Sequence, residues 1–138
     1  MKNPNISLSP EIVHALNLGT PVVALESTVI THGLPRPQNL KLARDMEQQV
    51  RDHDATPATV ALLDGEIRIG LSDKELTRLS ESDSTLKVSH RDFATAIVKK
   101  KSGGTTVAGT MFAAQLAGIK IFATGGIGGV HKESSFDI

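Results

Sequence analysis

Two strand-like runs, Ala58 to Leu63 and Glu66 to Leu71, are separated only by Asp64-Gly65, and this arrangement constrains the fold more than any other stretch of the chain. Asp-Gly suits a two-residue type I′ turn, in which both central residues take positive φ, so an antiparallel hairpin is expected in the middle of the sequence. Helical and strand patterns alternate on either side of it. Ser9-Pro10-Glu11 reads as an N-cap with proline in the first turn, opening a helix through Ile12, Val13 and Leu16 that stops at Gly19 and Pro21. Val22 to Ser27 reads as a buried strand. The polar loop Thr31 to Pro37 then leads into a helix whose Leu40, Ala43, Met46 and Val50 follow helical spacing.

Past the hairpin, Ser72-Asp73-Lys74-Glu75 matches a capping box and predicts a helix through Leu76 and Leu79, with Ser80 to Thr85 a polar connection. Leu86 to Ser89 is a short strand, and Asp92 is expected to cap a helix over Phe93 to Lys100. Ser102-Gly103-Gly104 breaks that helix before one rich in small residues, Thr105 to Ala117, which ends at Gly118. Ile119 to Thr124 is the last strand. Helices alternating with apolar strands predict an α/β layered domain, and the hairpin makes its sheet mixed.

The chain has 138 residues, enough for one domain with a real core. Its longest apolar runs are too short to span a bilayer. The N-terminal residues lack both the apolar core of a secretory signal and the arginine content of a transit peptide, and the absence of cysteine fits a reducing compartment, so a cytoplasmic location is the expectation. Without cysteine there is no thiolate nucleophile, and any metal must take oxygen or imidazole ligands. Lysine plus arginine and aspartate plus glutamate both total 15, and there are four Phe with no Trp or Tyr. That balance argues against nucleic-acid polymers as partners and against membrane binding.

The acid Glu26 sits in the apolar run Val22 to Ile30. Burying a carboxylate is costly, so a chain places one at the end of a buried strand where a proton must be moved, a cation held, or an ion pair made with Lys or Arg. Thr124-Gly125-Gly126-Ile127-Gly128-Gly129-Val130-His131 follows a strand, and its glycines let backbone N–H groups approach an anion. It is not the dinucleotide fingerprint, because His131 stands where the third glycine belongs.

His131 and Asp137 flank a short tail and are candidates for one hard cation such as Mn²⁺ or Mg²⁺; a plain surface loop is the alternative. Lys87 is either an edge residue or a cation aimed at a substrate phosphate. Gly103-Gly104-Thr105-Thr106-Val107 resembles a phosphate-binding helix start, with free N–H groups and two hydroxyls converging, and is equally an ordinary helix entry. His14, His53 and His90 receive no role. His32, beside Gly33 in the loop after Glu26, is a candidate for a supporting role.

Together, Ala-Leu-Glu-Ser-Thr-Val-Ile-Thr-His-Gly-Leu-Pro-Arg-Pro-Gln-Asn, Lys-Val-Ser-His-Arg-Asp, Gly-Gly-Thr-Thr-Val-Ala-Gly-Thr-Met and Phe-Ala-Thr-Gly-Gly-Ile-Gly-Gly-Val-His resemble the pseudouridine-5′-phosphate glycosidase family, related to indigoidine synthase A. The resemblance implies a three-layer α/β/α domain with a mixed, mainly parallel sheet, a divalent metal, typically Mn²⁺, and a homotrimer. It implies reversible conversion of pseudouridine 5′-phosphate and water to uracil and ribose 5-phosphate. Uracil carbon is a poor leaving group, and such enzymes open the ribose ring, form a Schiff base between a lysine and C1′, and expel uracil with proton help. By resemblance Glu26 is the proton donor and acceptor, and Lys87, Thr106 and the backbone around Val107 hold substrate. Asp137 serves the metal through bound water, and His131 lies near metal or substrate.

Members of that family run well over twice as far, with the Schiff-base lysine and a further site asparagine in the later half, and the segment from His131 to Asp137 is a couple of residues shorter here. Residues 1–138 are therefore expected to be the N-terminal part of a single domain whose fold is incomplete at the C-terminus. Two other expectations stand beside a catalytic one: a non-catalytic subunit that associates with a full-length enzyme, and another phosphosugar enzyme on the same scaffold.

Overall fold

The computed structural model describes residues 5–128. In chain order these form β1 (Ile6–Leu8), α1 (Pro10–Leu18), β2 (Val22–Leu25), a π turn (Val29–Gly33), α2 (Gln38–Asp52), β3 (Thr56–Leu63), β4 (Glu66–Ile69) and α3 (Asp73–Glu81). There follow β5 (Leu86–Val88), a 3₁₀ turn (His90–Asp92), α4 (Phe93–Val98), β6 (Gly103–Thr105), α5 (Val107–Ala117) and β7 (Ile121–Ala123). Among the described residues the sheet is mixed and mainly parallel. The pairs β1–β4, β2–β3, β2–β7 and β5–β6 are parallel, and β3–β4 and β3–β6 are antiparallel.

Local signals account for several of these elements. Ser9 caps α1, its hydroxyl accepting from the N–H of Ile12, and Gly19 closes the helix at φ 70°. Asp64 and Gly65 take φ 51° and 81°, as a type I′ turn requires, and β4 folds back antiparallel on β3. Ser72 and Glu75 form the capping box of α3.

The long strand β3 organises both layers. Ala58, Val60 and Leu62 point to one face, where they join Ile12 and Ala15 of α1, Phe93 and Ala96 of α4, and Ala113 and Ala114 of α5. Ala61 and Leu63 point to the other, packing with Ala43 of α2, Leu76 and Leu79 of α3, and Ile30 of the π turn. The period of two along β3 thus serves two helical layers, and the expected α/β/α sandwich is what forms.

Four local expectations need correction. Gly103 to Thr105 is a strand, so α5 begins at Val107 with Thr106 as its cap. Asp92 does not cap α4; its carboxylate reaches back to the N–H and hydroxyl of Ser89, at 2.8 and 2.7 Å, so the cap lies three residues earlier and α4 ends at Val98. Val29 to Gly33, which takes in the start of the loop expected from Thr31, is a π turn held by Asn39, whose buried amide donates to Ile30 O at 3.0 Å and Ser80 O at 2.9 Å. Ile6 to Leu8, unassigned from sequence, adds β1 beside β4.

Candidate active site where two half-ladders meet

β3 presents one edge to two different strands. β2 runs parallel along Thr56 to Thr59, while β6 comes from the opposite direction and pairs with Ala61 and Leu62. Their carboxyl ends therefore meet at Val60, and polar atoms fill the interruption in the ladder. Ser27 Oγ donates to Val60 O at 2.5 Å, and Thr105 Oγ1 donates to the same oxygen at 2.8 Å. The Thr105 N–H donates to Ser27 Oγ at 2.9 Å, and the Ser27 N–H donates to Thr105 O at 3.3 Å. Thr110 Oγ1 of α5 completes the group, 2.9 Å from Thr105 Oγ1. Ser27, Thr105 and Thr110 are fully buried, and each hydroxyl is satisfied.

This junction brings the sequence motifs together. β7 lies parallel to β2 and β5 parallel to β6, so the carboxyl ends of β2 and β7 face those of β5 and β6. In open α/β sheets ligands bind outside strand carboxyl ends at a topological switch point, and here two sets of such ends converge. Glu26 follows β2 directly and Thr124 follows β7. The register Leu25↔Ala123 makes them cross-strand neighbours, and Thr124 Oγ1 donates to Glu26 Oε1 at 2.5 Å.

Glu26 is half-buried rather than engulfed, because it lies one residue beyond the last ladder position. Among the described residues it makes no ion pair with Lys or Arg, and Oε2 takes no hydrogen bond. The carboxylate thus sits at the head of the glycine-rich segment. Thr124 also bridges to that segment, its oxygen accepting the Gly126 N–H at 3.4 Å and lying 3.1 Å from Gly126 O. Sequence reasoning assigned Thr124 no role; the signal available was its position one residue beyond a strand that neighbours the one before Glu26.

The other candidates fall in different places. Thr106 caps α5, its hydroxyl accepting from Gly109 N–H at 3.2 Å, and Val107 is the first helical residue, half-buried. Of the two hydroxyls expected to converge on an anion, that of Thr105 is spent in the junction, while that of Thr106 accepts in the cap and keeps its proton to donate. Beside it at this entry are the first-turn main-chain N–H groups of Val107 and Ala108. Lys87 is exposed on β5 in register with Gly104. Val88 beside it is buried in the α5-side core, so alternation turns Lys87 to the opposite face from α5. No hydrogen bond or ion pair links it to Glu26.

His131 and Asp137 lie outside the described residues. Within those residues no three His, Asp or Glu side chains come together to hold a metal ion, so the described part does not by itself fit the divalent cation, and no step is routed through one. No described helix is long and apolar enough to cross a membrane.

The model of the indigoidine synthase A-like protein family matches residues 11–138, and the chain belongs to that family. A pseudouridine-5′-phosphate glycosidase of Glaesserella parasuis is 54% identical over 138 residues, covering 99% of this chain and 46% of its own length. One from Solibacter usitatus is 56% identical over 136 residues, covering 97% of this chain and 46% of its own. The chain therefore spans a little under half the length of these curated relatives.

Among solved structures, the prealnumycin C-glycosynthase AlnA in complex with ribulose 5-phosphate superposes with a TM-score of 0.82 at 40% identity, over 94% of this chain and 41% of that one. An indigoidine synthase A-like protein from Thermotoga maritima gives a TM-score of 0.79 at 34% identity, over 91% of this chain and 41% of that one.

Proposed function

We propose that this chain carries the acid–base part of a site that breaks and forms a carbon–carbon glycosidic bond on a 5-phosphorylated pentose. In the hydrolytic direction pseudouridine 5′-phosphate and water give uracil and ribose 5-phosphate. The observation that carries this reading is the placement of Glu26, a carboxylate without a cation partner among the described residues, beyond converging strand ends and fastened by one oxygen to Thr124.

The chemistry follows from which atom needs a proton. Cleaving the bond from sugar C1′ to uracil C5 leaves the electron pair on C5, which must then be protonated. Glu26 Oε2 supplies that proton, and in the synthetic direction the carboxylate removes it. Thr124 fixes the carboxyl orientation throughout. Activation of C1′ by a lysine, which the resemblance implies, is not assigned to this chain, because that lysine falls in the later half of the relatives.

The test is turnover of pseudouridine 5′-phosphate, with and without Mn²⁺, by this chain alone and by this chain joined to the later half of a relative. Turnover by the joined protein and none by the 138-residue chain is the expected result. Substantial turnover by the chain alone overturns the division of labour, and none by a folded joined protein overturns the reading itself.

A second reading, a partial subunit that associates with a full-length relative, is favoured by β7. Among the described residues β7 pairs with β2 alone, leaving its other edge free, with Ile121 53% exposed. Co-migration with a full-length relative supports it; separate migration removes it.

A further inference from the structure

The face of β6 opposite α5 is bordered by two nitrogen-bearing side chains, Lys87 of β5 and His32 of the π turn, that the acid–base chemistry does not use. Gly104 and Lys87 are register partners across β5 and β6, so both turn to this face. A Cβ on Gly104 would overlap the Thr31 hydroxyl and lie 2.7 Å from Ser27 O. Thr31 therefore rests directly on the β6 backbone, with no side chain between it and the strand bearing Lys87. Thr31 Oγ1 in turn pairs with His32 Nδ1 at 2.6 Å, which fixes the imidazole and leaves Nε2 as the ring nitrogen open to a ligand. Adjacent strands are about 4.8 Å apart, a distance the four-carbon stem of lysine can cross.

Acids in the neighbouring loops are already engaged. Asp83 takes Arg36 at 2.8 Å, and Asp92 takes the Ser89 N–H and hydroxyl. Neither Lys87 nor His32 forms an ion pair among the described residues. An exposed ammonium and an imidazole pinned by one nitrogen, lying across a glycine with no acid bonded to either, match the oxygens of a phosphate monoester.

We propose that His32 joins Lys87, across Gly104 and held by Thr31, as a second binding residue for the phosphate of the phosphorylated pentose. The inference rests on the phosphosugar reading given above. The carboxyl ends of β5 and β7 face each other with no strand between them among the described residues. A pentose with C1′ beside Glu26 on the α5 side directs its C5′ phosphate through that gap toward Lys87 and His32. The pair then separates phosphorylated from unphosphorylated sugars without touching the reacting carbon.

Calorimetric titration of ribose 5-phosphate, ribose and inorganic phosphate into the 138-residue chain tests this, with His32→Asn, Lys87→Met and the double variant, and with imidazole ¹H–¹⁵N spectra as a second readout. The expected results are that ribose 5-phosphate binds more tightly than ribose, that it shifts the His32 resonances, and that each single variant weakens it about tenfold, as loss of one charge-assisted hydrogen bond should. The double variant should lose less than the product of the two single losses, because one phosphate is shared. Wild-type affinity in His32→Asn with weakened binding in Lys87→Met overturns the role of His32 and leaves the phosphosugar reading intact. Inorganic phosphate bound as tightly as ribose 5-phosphate identifies a generic anion seat and also overturns the proposal. No binding of ribose 5-phosphate by the wild-type chain overturns the proposal, and turnover by the joined protein then decides the phosphosugar reading separately.

Discussion

Ser27 and Thr105, 78 residues apart, donate their hydroxyl protons to a single acceptor, the main-chain oxygen of Val60. That shared acceptor closes the interruption between two strands arriving from opposite directions, and it sets Glu26 and the entry of α5 beside one another. Each oxygen also accepts a hydrogen bond, Ser27 Oγ from the Thr105 N–H and Thr105 Oγ1 from the Thr110 hydroxyl.

Replacing Ser27 by Ala and replacing Thr105 by Val should therefore cost about the same, about 2–3 kcal/mol each. The first removes a donor to Val60 O and leaves the buried Thr105 N–H unsatisfied; the second removes a donor to the same oxygen and leaves the buried Thr110 hydroxyl without its acceptor. Adding Thr110→Val to Thr105→Val takes away the orphaned hydroxyl and should recover part of the loss; urea unfolding that shows no recovery would contradict the geometry.

Thr124 acts through Glu26. In the form joined to a relative's later half, Glu26→Gln should lower turnover by roughly 10²–10⁴-fold, the usual share of a general acid or base. Thr124→Val should lower kcat about tenfold with KM little changed, because it frees the carboxyl orientation without removing the proton carrier. Thr124→Ser should restore most of the rate. A Thr124→Val enzyme with wild-type kcat would show that the 2.5 Å contact has no catalytic consequence.

Thr28 offers a contrast close to the same site. Its hydroxyl oxygen is buried and has no hydrogen-bond partner among the described residues, so an isosteric Thr28→Val should be neutral or stabilise the fold by up to about 1 kcal/mol. A clear loss of thermal stability would show that this hydroxyl is paired in solution.

Glu47 on α2 supplies a pH signature. Burial pushes its carboxyl above the usual glutamate range, against the opposing hydrogen bond from Thr59 Oγ1 at 2.6 Å and the Arg51 charge. The folded state then holds this proton more tightly than the unfolded chain. Its contribution is fully favourable below the ordinary glutamate value of about 4.3 and is lost as pH rises through the raised folded value. Glu47→Gln keeps an acceptor for Thr59 and should raise the Tm at pH 7, with the advantage shrinking toward pH 4. An advantage independent of pH would mean that titration of Glu47 is not the cause.

The elements legible in the sequence are those decided by neighbours along the chain. Ser9 with Pro10, Asp64 with Gly65, and Ser72 with Glu75 each settle a backbone conformation within a few residues, and the structure follows them. β6 has no such signal. Gly-Gly-Thr is a poor strand former by composition, and it is extended because it is wedged between β3 and β5, so closely that a Cβ at Gly103 would lie 2.9 Å from the Leu86 carbonyl carbon. β1 likewise exists only through β4, with Ser7 opposite Arg68. In the candidate site Glu26 stood out as an acid in an apolar run, whereas Thr124 acquires meaning only once β7 lies beside β2. The capping at Ser89 instead of Asp92 was a choice between two plausible polar residues three apart, decided by the 3₁₀ turn between them.

The Val60 junction also dictates an order of events during synthesis. A ribosome that has released only β2 and β3 has exposed Glu26 but not the strand that closes the ladder beside it, and the carboxylate acquires its surroundings after residues 103–124 emerge. The setting of Glu26 is therefore a late product of folding, built from contacts across most of the described chain. Slowing translation just before Gly103 should lengthen the life of an intermediate with its hairpin formed and the corner around Glu26 still open.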